Sequence, residues 1–184
     1  MDVESKRYQL LDCIQHRAEN LFLTRQLQCA EAVLVVLNQG LGGELSQELA
    51  VRLASALPEG LGRRGCLCGA LNGGALALGL FVGRNGPGYR NGTTIRKAVG
   101  ELHDQFKAAY KTTCCRVLTK ALVYGSDLHF RHCARMTGQA ACMAGAIVLD
   151  HKPELLESAD WGYLHQKDRR VTAEVIKIIG VFGR

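Results

Sequence analysis

The feature that most constrains the fold is an uncharged run of 17 residues from Cys66 to Val82. The run contains Asn72 and four glycines, and it is shorter than the roughly 20 apolar residues that a transmembrane helix needs. An apolar segment of this kind is typical of a helix buried in a protein core, so no membrane span is predicted. Gly69 and Gly73 lie four residues apart, so they would leave a groove where another backbone can approach closely.

Two thiols, Cys66 and Cys68, stand where this predicted helix begins. A helix N-terminus carries a partial positive charge, and Arg63 and Arg64 add two full charges nearby. Positive charge favours the thiolate, so the sequence predicts a lowered pKa for both thiols and makes both candidates for catalysis.

The composition favours helices over sheet. The chain has 184 residues, of which 47% are hydrophobic and 22% charged, and runs of β-branched residues are scarce. This length suits one domain with a sizeable core. We therefore predict an all-α, single-domain bundle of about six to eight helices.

Hydrophobic periodicity divides the chain into these predicted helices. They cover about 5–23, 27–39, 46–57, 66–82, 93–109, a short segment from 114, and 130–150. Val171 to Phe182 suggest a last helix, although their β-branched content leaves a strand open.

Charge and cysteine content restrict the partners and the compartment. The net charge is +6, but the basic residues are scattered and no nucleic-acid motif lies between them, so no specific nucleic-acid partner is expected. Eight cysteines are too few for a disulfide scaffold, and the N-terminus has no apolar secretion core. We expect a cytoplasmic protein with reduced thiols.

Four cysteines share a placement at or near the starts of predicted helices, each on the apolar face: Cys29, Cys68, Cys115 and Cys133. Four thiols from four helices would make a ligand set for zinc or for an iron–sulfur cluster. The chain has no Cys-x-x-Cys pair, so buried inert thiols stay an alternative. Cys13 is interpreted as such a thiol, and Cys142, nine residues after Cys133, is expected on the opposite side of its helix.

The histidines are weaker candidates. His129 and His132 precede Cys133 and would be able to supply a nitrogen ligand, whereas histidines scattered on helix surfaces are usually solvated. No serine, histidine and aspartate arrangement indicates hydrolysis.

A resemblance to a known family emerges from the cysteine motifs. Residues 68–73 read Cys-Gly-Ala-x-x-Gly, and the matching cysteines upstream and downstream are Cys29, Cys115 and Cys133. Over roughly residues 25–148 the chain resembles the family of small redox-active proteins named for the pattern C_GCAxxG_C_C.

The resemblance implies that the four matching cysteines do redox work in a helical domain. A similar module in split-Soret cytochromes c carries an iron–sulfur cluster beside haems, whereas this chain has no Cys-x-x-Cys-His and so no covalent haem is expected. We expect a [2Fe-2S] cluster bound by Cys29, Cys68, Cys115 and Cys133. The protein would then pass electrons to a partner protein, as an oxidoreductase or an electron carrier. The predicted organisation is an N-terminal helical extension (1–24), the four-cysteine domain (25–148) and a C-terminal extension docking on it (149–184).

Two other functions stay open from the sequence. One is thiol–disulfide exchange without metal, with Cys68 as nucleophile and Cys66 or a cysteine of another helix as resolving thiol. The other is a zinc-stabilised, non-catalytic binding domain. Cys66 and Cys114 would each be able to replace the neighbouring family cysteine as a ligand or to pair with it as a resolving thiol. By analogy, the site would also suit a homodimer interface.

Overall fold

The computed structural model describes residues 2–88 and 92–170, and every regular element in these residues is an α-helix. Six helices have eight residues or more: α1 (Val3–Leu23), α2 (Cys29–Gly40), α3 (Gln47–Ala54), α5 (Gly69–Val82), α6 (Thr93–Tyr110) and α8 (Asp127–His151). Four are single turns: α4 (Pro58–Leu61), α7 (Cys115–Leu118), α9 (Leu155–Ser158) and α10 (Trp161–Leu164). The predicted all-α fold is confirmed.

The core lies where α2, α5 and α8 meet, with α1 packed along the outer side of α8. Helix α2 is buried on nearly every side, from Ala30 through Asn38, as its continuous apolar sequence indicates. Helix α6 covers α5 and α8 with one buried stripe formed by Ala98, Leu102 and Phe106. No helix in the described residues is long and apolar enough to cross a bilayer.

The predicted glycine groove exists, and the backbone of α2 lies in it. A Cβ on Gly73 would lie 2.9 Å from the Cα of Ala30, and one on Gly69 would collide with the sulfur of Cys29. At the next position along α5, a Cβ on Gly74 would lie 2.9 Å from the side chain of Leu102. The glycines of α5 therefore set its distance from both neighbouring helices.

Several predicted boundaries shift. Helix α8 begins at Asp127, three residues before the predicted start, because the hydroxyl of Ser126 accepts a hydrogen bond from the N–H of His129 at 3.2 Å. Helix α7 is only one turn. The predicted last element, Val171 to Phe182, lies outside the described residues.

Candidate cysteine site

Four helical elements bring their cysteines to one cavity. Cys29 is the first residue of α2, Cys68 immediately precedes α5, Cys115 is the first residue of α7, and Cys133 lies in the second turn of α8. All four line a cavity of about 220 Å³. Its remaining wall is mostly apolar and includes Phe22, Leu27, Pro58, Ala70, Phe130 and Met136.

Helix starts supply backbone hydrogen-bond donors to two of the sulfurs. The N–H groups of Ala30 and Glu59 point at the sulfur of Cys29, and those of Ala70 and Leu71 at the sulfur of Cys68. Each of these contacts favours the thiolate. The N–H groups of Ala30, Ala70 and Leu71 are orphan donors at the starts of α2 and α5, so local helix geometry positions them, and the N–H of Glu59 comes from α4.

Burial nevertheless dominates the acidity of the cavity thiols. It raises the pKa of Cys68 to about 12, that of Cys133 to about 12 and that of Cys115 to about 11, and the neighbouring thiols add to each rise. Burial likewise raises the pKa of Cys29. The lowered thiol pKa predicted for Cys68 is therefore wrong, because desolvation of a thiolate outweighs a helix dipole.

Arg63 does not act on the thiols as the sequence suggested. Its Nε is 3.0 Å from the carboxylate of Glu59, and its guanidinium lies over the ring of Tyr124 at 4.4 Å. The Tyr124 hydroxyl in turn donates to Glu59 at 3.0 Å. Glu59 and Tyr124 both line the cavity, so Arg63 contacts two of its lining residues without lining it itself.

Cys66 lies outside the cavity. Its sulfur is 2.7 Å from the sulfur of Cys114, and neither residue lines the cavity. The hydrogen bond with Cys114 is the main cause that raises the pKa of Cys66, and burial is the second, while the charge of Arg116 lowers it. The lowered pKa predicted for Cys66 is therefore also wrong. The structure thus places the sulfur of Cys66, the predicted resolving thiol for Cys68, beside Cys114.

Only one of the two histidine candidates lies at the cavity. His129 lines the cavity, one turn before Cys133, with its Nε2 3.7 Å from that sulfur. His132 does not line it, and its Nε2 is buried without a hydrogen-bond partner. Cys13 and Cys142 are also absent from the cavity wall, as expected.

Sequence reasoning missed the rim of the cavity. Arg25 lies over Phe130 at 4.3 Å, and Phe22 lies next to the same ring with centroids 6.3 Å apart. Arg25 lies in a turn and Glu59 in the single-turn α4, and both have a positive φ, which hydrophobic periodicity does not report. The sequence did contain a signal for Phe130, because it lies three residues before Cys133 and therefore on the same helix face.

The free thiols are not arranged around a single ion. Within residues 2–88 and 92–170, no three Cys, His, Asp or Glu side chains are close enough together to hold a metal ion as they stand. All eight cysteines are unpaired.

The fold and the cavity together define the class of protein. It is an all-α domain in which four helical elements bring four thiols to one largely apolar cavity. The sequence profile of the family described as "Putative redox-active protein (C_GCAxxG_C_C)" matches residues 27–147, a range that includes all four cavity cysteines. The chain belongs to this family. Comparisons with curated proteins and with solved structures gave no significant match.

Proposed function

We propose that Cys29, Cys68, Cys115 and Cys133 together hold an iron–sulfur cluster of the [2Fe-2S] type and that the protein transfers electrons to a partner protein. The observation that carries this proposal is the convergence of four thiols, from four separate helical elements, on one cavity of about 220 Å³. Family membership supports a redox role for the same cysteines.

The cavity residues fit such a group by their chemistry. Thiolates are the usual ligands of iron–sulfur clusters, and the cavity offers four sulfurs with an apolar surround. A bound cluster would supply one-electron oxidation and reduction. The N–H groups aimed at Cys29 and Cys68 would stabilise negative charge on those sulfurs, which tends to raise a reduction potential.

The protein's own residues also set the polarity and the protonation of the site. Phe22, Phe130 and Met136 give the cavity apolar walls beside the sulfurs. The thiols hold their protons at neutral pH, because burial raises their pKa values, so ligand binding must release protons. A reducing cytoplasm is the compartment that suits eight unpaired cysteines.

Metal-free exchange at Cys68 is the weaker alternative. Cys68 is only 4% exposed and its pKa is raised to about 12, whereas an attacking thiol needs access and a substantial thiolate fraction. Zinc uses the same four thiolates and is distinguished from iron by the experiment below.

The test is purification without oxygen, followed by visible absorbance and by iron, sulfide and zinc content for the wild type and for single Cys→Ser variants. We expect a coloured wild type with about equal iron and sulfide, as iron–sulfur clusters require. Substitution of Cys29, Cys68, Cys115 or Cys133 should remove most of the iron, whereas Cys13→Ser and Cys142→Ser should keep it.

Three results would contradict the proposal. A colourless protein with one equivalent of zinc would indicate a zinc domain. A colourless protein that stays free of metal after anaerobic reconstitution would indicate thiol chemistry alone. Equal loss of iron in Cys13→Ser would show that these four cysteines are not the ligand set.

A further inference from the structure

A second pair of thiols lies beside the cavity without belonging to it. The sulfurs of Cys66 and Cys114 are 2.7 Å apart, although the two residues are 48 positions apart in the chain. A disulfide bond is about 2.05 Å long, so the sulfurs need to move together by less than about 1 Å to bond. Both residues are half-buried, whereas Cys68 is buried.

Two backbone hydrogen bonds hold the segments on either side of this pair. The N–H of Cys68 donates to the carbonyl of Thr113 at 2.8 Å, and the N–H of Arg116 donates to the carbonyl of Gly65 at 3.0 Å. Residues 66 and 114 lie between these bonds, so the backbone fixes their separation before any covalent bond forms. Pairing therefore requires little reorganisation of the chain.

Glycine makes this close approach possible. Gly65 has a φ of +86°, and a Cβ there would lie 2.8 Å from the Cβ of Arg116. Gly60 has a φ of +74°, and a Cβ there would lie 2.9 Å from the Cα of Gly65. Three chain segments are thus packed directly around the pair, which argues that the two sulfurs are held together by the fold.

We propose that Cys66 and Cys114 form a second redox site, a dithiol–disulfide couple that exchanges with low-molecular-weight disulfides. A thiolate of the pair attacks a disulfide RS–SR, forming a mixed disulfide and releasing one RS⁻. The second sulfur of the pair then attacks the mixed disulfide and releases the other RS⁻. The pair loses two electrons and two protons, and RS–SR becomes two RSH.

The position of the couple gives it a consequence for the cavity. Cys66 is two residues before Cys68, and Cys114 is next to Cys115. A Cys66–Cys114 bond would tie together the two segments that carry these cavity cysteines. The couple uses neither cavity sulfur, so the proposal holds whether or not the cavity binds a cluster.

The test uses the full chain, reduced and then incubated with oxidised glutathione, alkylated, and digested with trypsin. Cys66 lies in the tryptic peptide 65–84 and Cys114 in the peptide 112–116. We expect a disulfide-linked pair of these peptides that returns to two alkylated peptides after dithiothreitol. Cys66→Ser and Cys114→Ser should each abolish the linked pair, while Cys13→Ser should leave it unchanged.

Each of these peptides also contains a cavity cysteine, so the linkage has to be assigned. In the double variant Cys68→Ser/Cys115→Ser each peptide keeps one thiol, and any link between them must join Cys66 to Cys114. Fragmentation of the linked wild-type peptides gives the same assignment if the double variant fails to fold. The proposal is overturned if excess oxidised glutathione yields no linked pair, or if the link persists in Cys66→Ser.

Failure of this experiment is distinguishable from failure of the proposed cluster. The peptide experiment reads a bond between Cys66 and Cys114, whereas iron and sulfide content read the four cavity cysteines. Either result is able to stand without the other.

Discussion

Cys68 shows how opposing effects on a single side chain combine. Its sulfur accepts hydrogen bonds from the N–H groups of Ala70 and Leu71 at the start of α5, and these bonds favour the thiolate. The side chain is only 4% exposed, however, and burial raises its pKa from 9.0 to about 12. Desolvation therefore outweighs the helix terminus, and the metal-free thiol is protonated throughout the physiological range.

This raised pKa predicts a pH dependence of stability. The unfolded chain loses the Cys68 proton near pH 9 and the folded chain only near pH 12, so the free energy of unfolding falls as the pH rises between these values. In reduced, metal-free protein, Cys68→Ser should make that fall less steep by up to about 1.4 kcal/mol per pH unit. Urea unfolding with chelator and reductant, from about pH 9 to about pH 10.5, measures the slope.

Cys13→Ser is the matched control for this measurement. Cys13 is half-buried and lies outside the cavity, so its substitution should change the slope less than that of Cys68. Equal slopes for the Cys68→Ser variant and the wild type would show that burial does not control the acidity of this thiol.

At the scale of elements, the contact between α2 and α5 depends on glycine. The backbone of α2 at Ala30 lies against Gly73, and the neighbouring atom is main chain, which is unable to rotate away. Separating the two helices would also move Cys29 and Cys68, which begin α2 and immediately precede α5. The same packing that forms the core thus sets the width of the cysteine cavity.

A pair of glycine substitutions on α5 tests this role. Gly73→Ala should lower the free energy of unfolding by about 1–3 kcal/mol, because overpacking costs more than the helix propensity gained. Gly79→Ala is the matched control on the same helix, since a Cβ there has nothing within 4 Å, and it should raise stability by up to about 1 kcal/mol. Chemical denaturation of both variants gives the comparison, and a stabilised Gly73→Ala would contradict the packing argument.

The elements differ in how far the sequence determines them. The apolar run from Cys66 to Val82 predicted a buried helix and its glycine groove, because periodicity and residue size report packing directly. The start of α8 moved to Asp127 because Ser126 caps it, a local hydrogen bond that a hydrophobic pattern does not contain.

The candidate site follows the same rule. Cys29, Cys68, Cys115 and Cys133 were singled out by their places on helices, and helices are what the sequence predicts well. The Cys66–Cys114 contact depends on two loops meeting through backbone hydrogen bonds, so no spacing along the chain reveals it. Thiol acidity was mispredicted because it depends on burial depth, which only the assembled fold defines.

At the scale of the whole molecule, one buried arginine connects the two ends of the described chain. Arg17 of α1 is 5% exposed and donates to the Asp168 carboxylate at 2.6 Å and to the carbonyl of Gln166 at 3.1 Å. Its guanidinium also lies 4.9 Å from the ring centroid of Tyr163. Asn20 adds two bonds to the main chain of Asp168, so α1 and the segment 166–168 are held side by side.

Removing the charge of Asp168 tests how much this anchor contributes. Asp168→Asn keeps the shape and the backbone bonds but leaves the buried Arg17 without its counter-charge, and should lower the free energy of unfolding by about 1–2 kcal/mol. The exposed pair Glu48 and Arg52, 3.8 Å apart, provides the control: Glu48→Gln should change stability by no more than about 0.5 kcal/mol. Limited trypsin digestion adds a local measurement, since cleavage after Lys167 should be faster in Asp168→Asn than in Glu48→Gln. If both variants match the wild type in unfolding and in cleavage, the segment 166–168 is held by its backbone bonds to Asn20, and the Arg17 charge contributes little.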